Sequence, residues 1–224
     1  MEKVVIFGIS AAAALSHFAL THDSPYEVVA FTVDRKYIKE SEFCGLPVFP
    51  FEEIETLFNP NEYKMLVAIF ASRVNRTRAE KYDKAKEKGY ELITYISSKA
   101  IVSPDLVIGD NCFISEGAIC RPFLKIENNV FVMAGALLGH NSVIGDHCFI
   151  SGRAVVLGDV VIEPYCVIGG NSTILDSVKI ARECIIGAGT VITENTKERE
   201  IYKVNPPILF PLSSDKMANI LFRS

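Results

Sequence analysis

The sequence predicts an α/β Rossmann-like domain followed by an all-β parallel β-helix. Three observations support this fold class: an unbroken six-residue repeat in the second half, alternating apolar strands and helices in the first half, and a composition that can bury a core. Of the 224 residues, 49% are hydrophobic and 22% are charged, which is typical of a folded globular chain. We expect the Rossmann-like domain at 1–97, the β-helix at 98–196 and a C-terminal extension at 197–224.

The repeat is a column of aliphatic residues at every sixth position from Val102 to Ile192, with Cys120 as the single exception. A second column of small or apolar residues stands two positions earlier. A period of six matches neither an α-helix nor an alternating strand. It fits triangular coils of three short strands and eighteen residues, stacked about 4.8 Å apart. Each buried aliphatic side chain contributes roughly 1.5–3 kcal/mol to the free energy of folding. A stack of coils is therefore stable, although a single coil is not.

The same register explains the cysteines. None of the six forms a CxxC pair, and Cys148, Cys166 and Cys184 are spaced by eighteen residues, so we expect a buried interior ladder with Val130 rather than disulfides. Glycine often follows the column aliphatic, as in Gly139 and Gly145. We expect those glycines to supply unusual backbone angles at the turns.

The first half alternates strand and helix patterns, as expected for a small parallel sheet that binds ligands at its strand carboxyl ends. Strands are expected at 4–8, 27–34, 65–70 and 91–96, with helical segments at 10–20, 51–58 and 76–88. A dinucleotide-binding fingerprint needs several glycines, but the segment after the first strand contains only Gly8. Asp34, at the end of the second strand, either holds a ribose hydroxyl or caps a turn.

Charge and hydropathy argue against several classes of partner. The net charge is −4 with no block of Lys or Arg, whereas a nucleic-acid binder usually shows a basic stripe. No apolar run approaches the roughly 20 residues that cross a membrane. The opening residues, MEKVVIFGIS, are interpreted as a first strand rather than a leader peptide. We therefore expect a cytoplasmic protein with no nucleic-acid partner and no membrane span.

Two histidines lie in the repeat, and they differ in their surroundings. His140 follows Leu138-Gly139, so it falls at an outward corner of a coil. The residue one coil later in the same column is Gly158, which leaves space beside the imidazole. His147 is expected at a solvated turn. Two histidines are too few for the three-histidine zinc site of β-helical carbonic anhydrases, so no metal is expected.

Longer segments resemble a known family. ALLGHNSVIGDHCFISGRAVVLGDV and CIIGAGTVI resemble the sialic acid O-acetyltransferase family, which includes N-acetyltransferases acting on nucleotide-linked 4-amino-sugars. VVIFG, AFTVD and EKGYELITYISSKA resemble its N-terminal half. The resemblance implies a left-handed β-helix and a homotrimer with acetyl-CoA between adjacent β-helices. It also implies a sugar or nucleotide-sugar substrate and a role in surface-glycan (lipopolysaccharide) biosynthesis.

The resemblance further assigns catalytic residues. The family's general base falls on His140, which would remove a proton from the sugar amine or hydroxyl. Some relatives carry an acid directly after that histidine, where this chain has Asn141. Column arithmetic suggests that Asp159, one coil beyond Asn141, orients the His140 ring instead. A second histidine that contacts the acetyl group in some relatives maps to Phe149.

The remaining assignments concern ligands. The family's acetyl-CoA contacts map to Gly170 and Ala188, and its sugar-nucleotide contacts map to Ser10 and Asp34. The glycine-poor loop before Ser10 leaves open whether the acceptor is nucleotide-linked. A sugar nucleotidyltransferase would need a glycine-rich and basic signature that this chain lacks. A catalytically silent relative that acts as a sugar-binding or assembly module remains the alternative.

Overall fold

The computed structural model describes residues 1–204, which form an N-terminal α/β domain and a β-helix. The elements of the α/β domain are β1 (Glu2–Phe7), α1 (Ala11–His22), β2 (Tyr26–Val33), β3 (Glu42–Phe43), β4 (Leu46–Pro50), α2 (Ile54–Leu57), β5 (Tyr63–Val67) and α3 (Arg76–Glu87), with 3-10 turns at Arg35–Tyr37 and Phe51–Glu53. The sheet order is β3-β4-β2-β1-β5. All pairs are parallel except β3–β4. Helix α1 packs on one face of the sheet, while α2 and α3 pack on the other.

The predicted strands 4–8, 27–34 and 65–70 correspond to β1, β2 and β5, whereas the strand predicted at 91–96 is divided between the two domains. Residues 91–93 lie beside β5 through a bridge from Leu92 to Met65 and two backbone hydrogen bonds to Met65, while Tyr95–Ile96 pairs with Phe113–Ile114 in the second half. The outer position beside β2 belongs to β4. The sequence of β4, LPVFP, looks like a loop because it contains two prolines, which sheets tolerate only at particular positions.

The second half is a stack of two-residue parallel strands. They are β6 (Tyr95–Ile96), β7 (Ile101–Val102), β8 (Val107–Ile108), β9 (Phe113–Ile114), β10 (Ile119–Cys120), β11 (Lys125–Ile126), β12 (Phe131–Val132), β13 (Leu137–Leu138), β14 (Val143–Ile144), β15 (Phe149–Ile150), β16 (Val155–Val156), β17 (Val161–Ile162), β18 (Val167–Ile168), β19 (Thr173–Ile174), β20 (Lys179–Ile180), β21 (Ile185–Ile186), β22 (Val191–Ile192) and β23 (Ile201–Tyr202).

These strands form three sheets of six, five and seven strands. Residues eighteen apart pair directly, as Leu137 pairs with Val155. The aliphatic column is buried except for Val102 and Ile108, which are half-buried, and the second column is buried from Cys112 onward. The triangular coil predicted from the period of six is therefore confirmed.

The cysteine ladder also lies where the register predicts. Cys148, Cys166 and Cys184 are fully buried with Val130 in the interior. All six cysteines are free thiols. Burial raises the pKa of the Cys148 thiol well above its ordinary value, so this side chain acts as a small apolar group in the core.

The expected reason for the turn glycines is wrong. Gly145 does not have a positive φ; that conformation occurs two residues later, at His147 with φ 62°. Gly145 is required because a Cβ there would lie 2.8 Å from the backbone nitrogen of Pro164 in the next coil. The glycines after the aliphatic column thus permit close stacking of coils, and the left-handed turn residue is most often Asn, which tolerates it well.

The seven-stranded sheet begins at β6 and ends at β23. Its first and last strands therefore lie outside the limits expected for the β-helix, residues 98 and 196. In the last coil, β23 pairs with β21 at a spacing of sixteen residues, from Ile185 to Ile201. The rest of the expected C-terminal extension, 205–224, lies outside the described residues.

The two domains are joined along one corner of the β-helix. We call this the docking corner; it consists of residues eighteen apart, namely Asn111, Asn129, His147, Tyr165 and Glu183. Arg78 of α3 is fully buried against it. Its guanidinium donates to the Oδ1 of Asn129 at 3.1 Å and to the carbonyl oxygens of His147 and Cys148, both at 2.9 Å. Because so many bonds converge on one buried cation, the domains form a fixed unit.

Candidate active site

His140 lies on a second corner of the β-helix, between the six-stranded and five-stranded sheets. We call it the His140 corner; it consists of residues 139–141 and their equivalents in neighbouring coils. Several bonds hold the backbone here. The Asn141 N–H donates to the Pro122 oxygen at 3.2 Å, and the Asp159 N–H donates to the His140 oxygen at 2.9 Å. The buried hydroxyl of Ser142 donates to Leu157 at 3.0 Å. The imidazole therefore projects from a rigid support.

The ring of His140 is 54% exposed and lies directly over Gly158. A Cβ at Gly158 would come within 2.7 Å of the imidazole Nε2 and 2.9 Å of Nδ1. The space predicted beside His140 is therefore present and is filled by the ring itself. An exposed imidazole held over a glycine can reach a ligand that binds at this corner.

Asp159 lies beside His140, at the diagonal position predicted from the column arithmetic. One carboxylate oxygen, Oδ2, is 3.8 Å from the Nε2 of His140, a separation too long for a hydrogen bond. The other, Oδ1, accepts a bond of 3.1 Å from the Asn141 side chain. Asn141 thus turns the carboxylate so that its free oxygen faces the imidazole.

His147 does not lie at a solvated turn, as the sequence suggested. It is half-buried beneath α3, with ring contacts to Tyr82 and Tyr165 at centroid distances of 5.6 and 4.7 Å. Its Nδ1 lies 2.8 Å from the amide of Asn129. Desolvation lowers the pKa of His147. This histidine therefore belongs to the contact between the domains.

The third corner separates the seven-stranded from the six-stranded sheet. We call it the glycine corner; it consists of Ala134, Gly152, Gly170 and Ala188, each eighteen residues from the next. Within the described chain, the backbone N–H groups of these four residues donate to no protein acceptor. At the docking corner, by contrast, the equivalent N–H of Asp110 donates to the side chain of Asn128 at 3.1 Å.

The difference has a simple cause. An N–H at this corner position can be bound by a polar side chain one coil higher, as at Asp110, Asn128 and Gly158, whereas residues 134, 152, 170 and 188 are only Gly and Ala. The result is a shallow column of free donors about 4.8 Å apart. Such a column suits an extended ligand that contains amide carbonyls. Gly170 and Ala188, the expected acetyl-CoA contacts, both belong to it.

His140 and the glycine corner stand at opposite edges of the six-stranded sheet, so one chain does not bring them together. The outer face of that sheet is apolar, and Ile101 and Val191 at its two ends are 65% and 58% exposed.

The two expected sugar-nucleotide contacts line separate cavities. Ser10 precedes α1 and lines a cavity of about 370 Å³ with Phe70 and Ser72. This cavity lies where β1 and β5 end, which is the usual ligand position in such sheets. Asp34 lines a cavity of about 870 Å³ on the other face. Its carboxylate pairs with Lys81 at 2.5 Å and does not cap the following turn.

Phe149, where some relatives carry a second histidine, packs against Phe70 of the N-terminal domain with ring centroids 5.5 Å apart. It therefore contributes to the contact between the domains. Among residues 1–204, no three His, Cys, Asp or Glu side chains come together as a possible metal site. The helices of this part of the chain are too short or too polar to cross a bilayer.

Comparison with known proteins agrees with the fold. Residues 124–158 and 159–194 match the family model for the bacterial transferase hexapeptide (six repeats). The coils over residues 124–194 therefore carry the hexapeptide repeat that this model describes. No curated protein matches the chain by sequence.

Solved structures share almost the whole fold. The acetyltransferase domain of PglB from Neisseria gonorrhoeae is 22% identical with a TM-score of 0.79, covering 90% of this chain and 96% of that one. PerB from Caulobacter crescentus, in complex with CoA and GDP-perosamine, is 22% identical with a TM-score of 0.76, covering 90% and 92%. WeeI from Acinetobacter baumannii is 18% identical with a TM-score of 0.68, covering 90% and 94%. The predicted class, an α/β domain with a left-handed hexapeptide β-helix, is confirmed.

Proposed function

We propose that this protein is an acetyltransferase that moves the acetyl group of acetyl-CoA to an amino or hydroxyl group of a sugar, with His140 as general base. The observation that carries the proposal is the exposed imidazole of His140, fixed over Gly158 at an outer corner of a hexapeptide β-helix. Structures with this fold include an acetyltransferase domain with bound acetyl-CoA and an enzyme with bound CoA and GDP-perosamine.

The chemistry requires few groups. The sugar amine or hydroxyl attacks the thioester carbonyl carbon while His140 accepts its proton. The tetrahedral intermediate then expels the CoA thiolate, which takes a proton back from the imidazolium. Asp159, held by Asn141, faces the imidazole and would orient the ring. The free N–H groups of Gly170 and Ala188 would bind carbonyl groups of the pantetheine arm.

The active unit in this proposal is a homotrimer. Support comes from the separation of His140 and the glycine corner within one chain and from the apolar outer face between them. Acetyl-CoA would lie between neighbouring β-helices. The acceptor is proposed to be a nucleotide-linked sugar of surface-glycan biosynthesis in the cytoplasm, with Ser10 and Asp34 as its contacts in the N-terminal domain.

The test is thiol release from acetyl-CoA in the presence of nucleotide-linked 4-amino-sugars, with mass spectrometry of the acetylated product. Wild type should release thiol, and His140→Ala should lose at least 100-fold in turnover, the scale of a general base. His22→Ala, which removes an exposed histidine on α1, is the matched control and should keep wild-type activity. Binding of these sugars without any thiol release would instead favour a silent binding module.

A further inference from the structure

Phe123 has an unusual position on the His140 corner. It occupies the turn position one coil below Asn141, and its backbone is left-handed with φ 62°. Bulky residues rarely adopt that conformation. The Phe123 N–H donates to the Oδ2 of Asp105 at 2.7 Å, which fixes the turn. The ring is 71% exposed.

No packing within the described chain accounts for this ring. Tyr165 is a second bulky residue in a left-handed turn, but its ring contacts His147, and the guanidinium groups of Arg76 and Arg182 lie over it. Phe123 has no such aromatic or cationic neighbour among residues 1–204. Asn tolerates a left-handed turn better than Phe and occupies the same turn position one coil above, so Asn would make this turn more stable.

The location suggests what the ring contacts. The Asn141 N–H bonds to the Pro122 oxygen at 3.2 Å, so the turn that carries Phe123 lies directly against the turn that carries His140. Side chains in this column reach their neighbours one coil away, as the 3.1 Å bond from Asn141 to Asp159 shows. Phe123 therefore lies one coil below His140, on the side opposite Gly158 and Asp159.

We propose that Phe123 is the platform for the pyranose ring of the acceptor sugar, which packs its C–H face on the aromatic ring while its amine or hydroxyl points to His140. This inference rests on the proposed function and adds to it a specificity-determining residue. An aromatic platform selects a ring-shaped acceptor and orients it, whereas it makes no contact with acetyl-CoA at the glycine corner.

The experiment compares Phe123→Asn, which removes the ring and suits the left-handed turn, with Phe123→Tyr, which keeps the ring. Acceptor KM with GDP-perosamine and related sugars should rise roughly tenfold in Phe123→Asn, the size of one aromatic contact. Its kcat and its KM for acetyl-CoA should stay within about twofold, and Phe123→Tyr should match wild type. Calorimetry without acetyl-CoA should show the same loss in acceptor affinity.

Two results would overturn the inference: an unchanged acceptor KM and affinity in Phe123→Asn, or dissociation of its oligomer in light scattering, which would make Phe123 a contact between copies. Failure of the proposed function looks different. Wild type would then release no thiol. If it still bound these sugars with an affinity that falls in Phe123→Asn, Phe123 would remain a sugar platform. If it bound no sugar, that role would be excluded.

Discussion

Replacing Gly158 with Ala tests the role of His140 without touching the histidine. The new Cβ would lie closest to the imidazole Cε1, nearer still than its 2.7 Å to Nε2, while an ordinary carbon contact needs about 3.5 Å. The ring must therefore move by roughly 1 Å. A misplacement near 1 Å can lower turnover about 100-fold. We expect turnover to fall between about 10- and 100-fold in the thiol-release assay.

Stability should hardly change, because the group that moves is an exposed side chain. A surface substitution stays within about 0.5 kcal/mol, or about 2 °C in Tm for a chain of this size. Gly145→Ala is the contrasting control: its Cβ would meet the backbone nitrogen of Pro164 at 2.8 Å, so it should lower Tm. Adding Gly158→Ala to His140→Ala should cause no further loss. Turnover within twofold of wild type in the single variant would show that the position of the His140 ring does not matter for catalysis.

Three further changes have defined outcomes. Asp159→Asn should lower turnover at least about tenfold, the scale of supporting contacts, and an unchanged rate would exclude its action on His140. Arg78→Met should cost at least about 3 kcal/mol in urea unfolding, since it leaves several buried carbonyl oxygens unpaired; exposed Arg73→Ala, the control, should cost under about 1 kcal/mol. Hydrogen bonds from Ser98, Ser97 and Tyr95 lower the pKa of Asp23 below its ordinary 3.8. The contribution of Asp23 to stability is therefore present above pH 3.8 and is lost as the pH falls further. Asp23→Asn should therefore show a smaller decrease in the free energy of unfolding below pH 3.8 than wild type. The same decrease in both proteins would contradict this prediction.

The β-helix could be predicted almost to the residue because its stability comes from a local repeat. Side chains at Val102 and every sixth position thereafter face one interior, so the chain order alone gives the burial pattern. The position of His140 followed from the same register, as did its neighbour Gly158. The role predicted for the turn glycines was wrong because it considered the backbone of one coil alone. Their actual role is to allow close contact between neighbouring coils, which depends on how the coils stack.

The contacts between the domains could not be predicted in this way. Arg78 looks like an exposed residue on a charged helix, and its burial depends on carbonyl groups of His147 and Cys148 in another part of the chain. His147 appeared solvated for the same reason. One signal was present: Asn111 and Asn129 are eighteen residues apart at the left-handed turns, and their amides form part of the docking corner. The strand β4 was missed because its two prolines are typical of a loop.

In the proposed mechanism, His140 acts on a thioester bound along the glycine corner. A crystal structure of the protein with CoA and a nucleotide-linked amino-sugar tests it most directly. We predict the CoA sulfur within roughly 5 Å of the His140 imidazole and the acceptor amine within hydrogen-bond reach of it, as near-attack geometry requires. A pantetheine arm bound away from the glycine corner, with its sulfur out of reach of His140, would contradict the account.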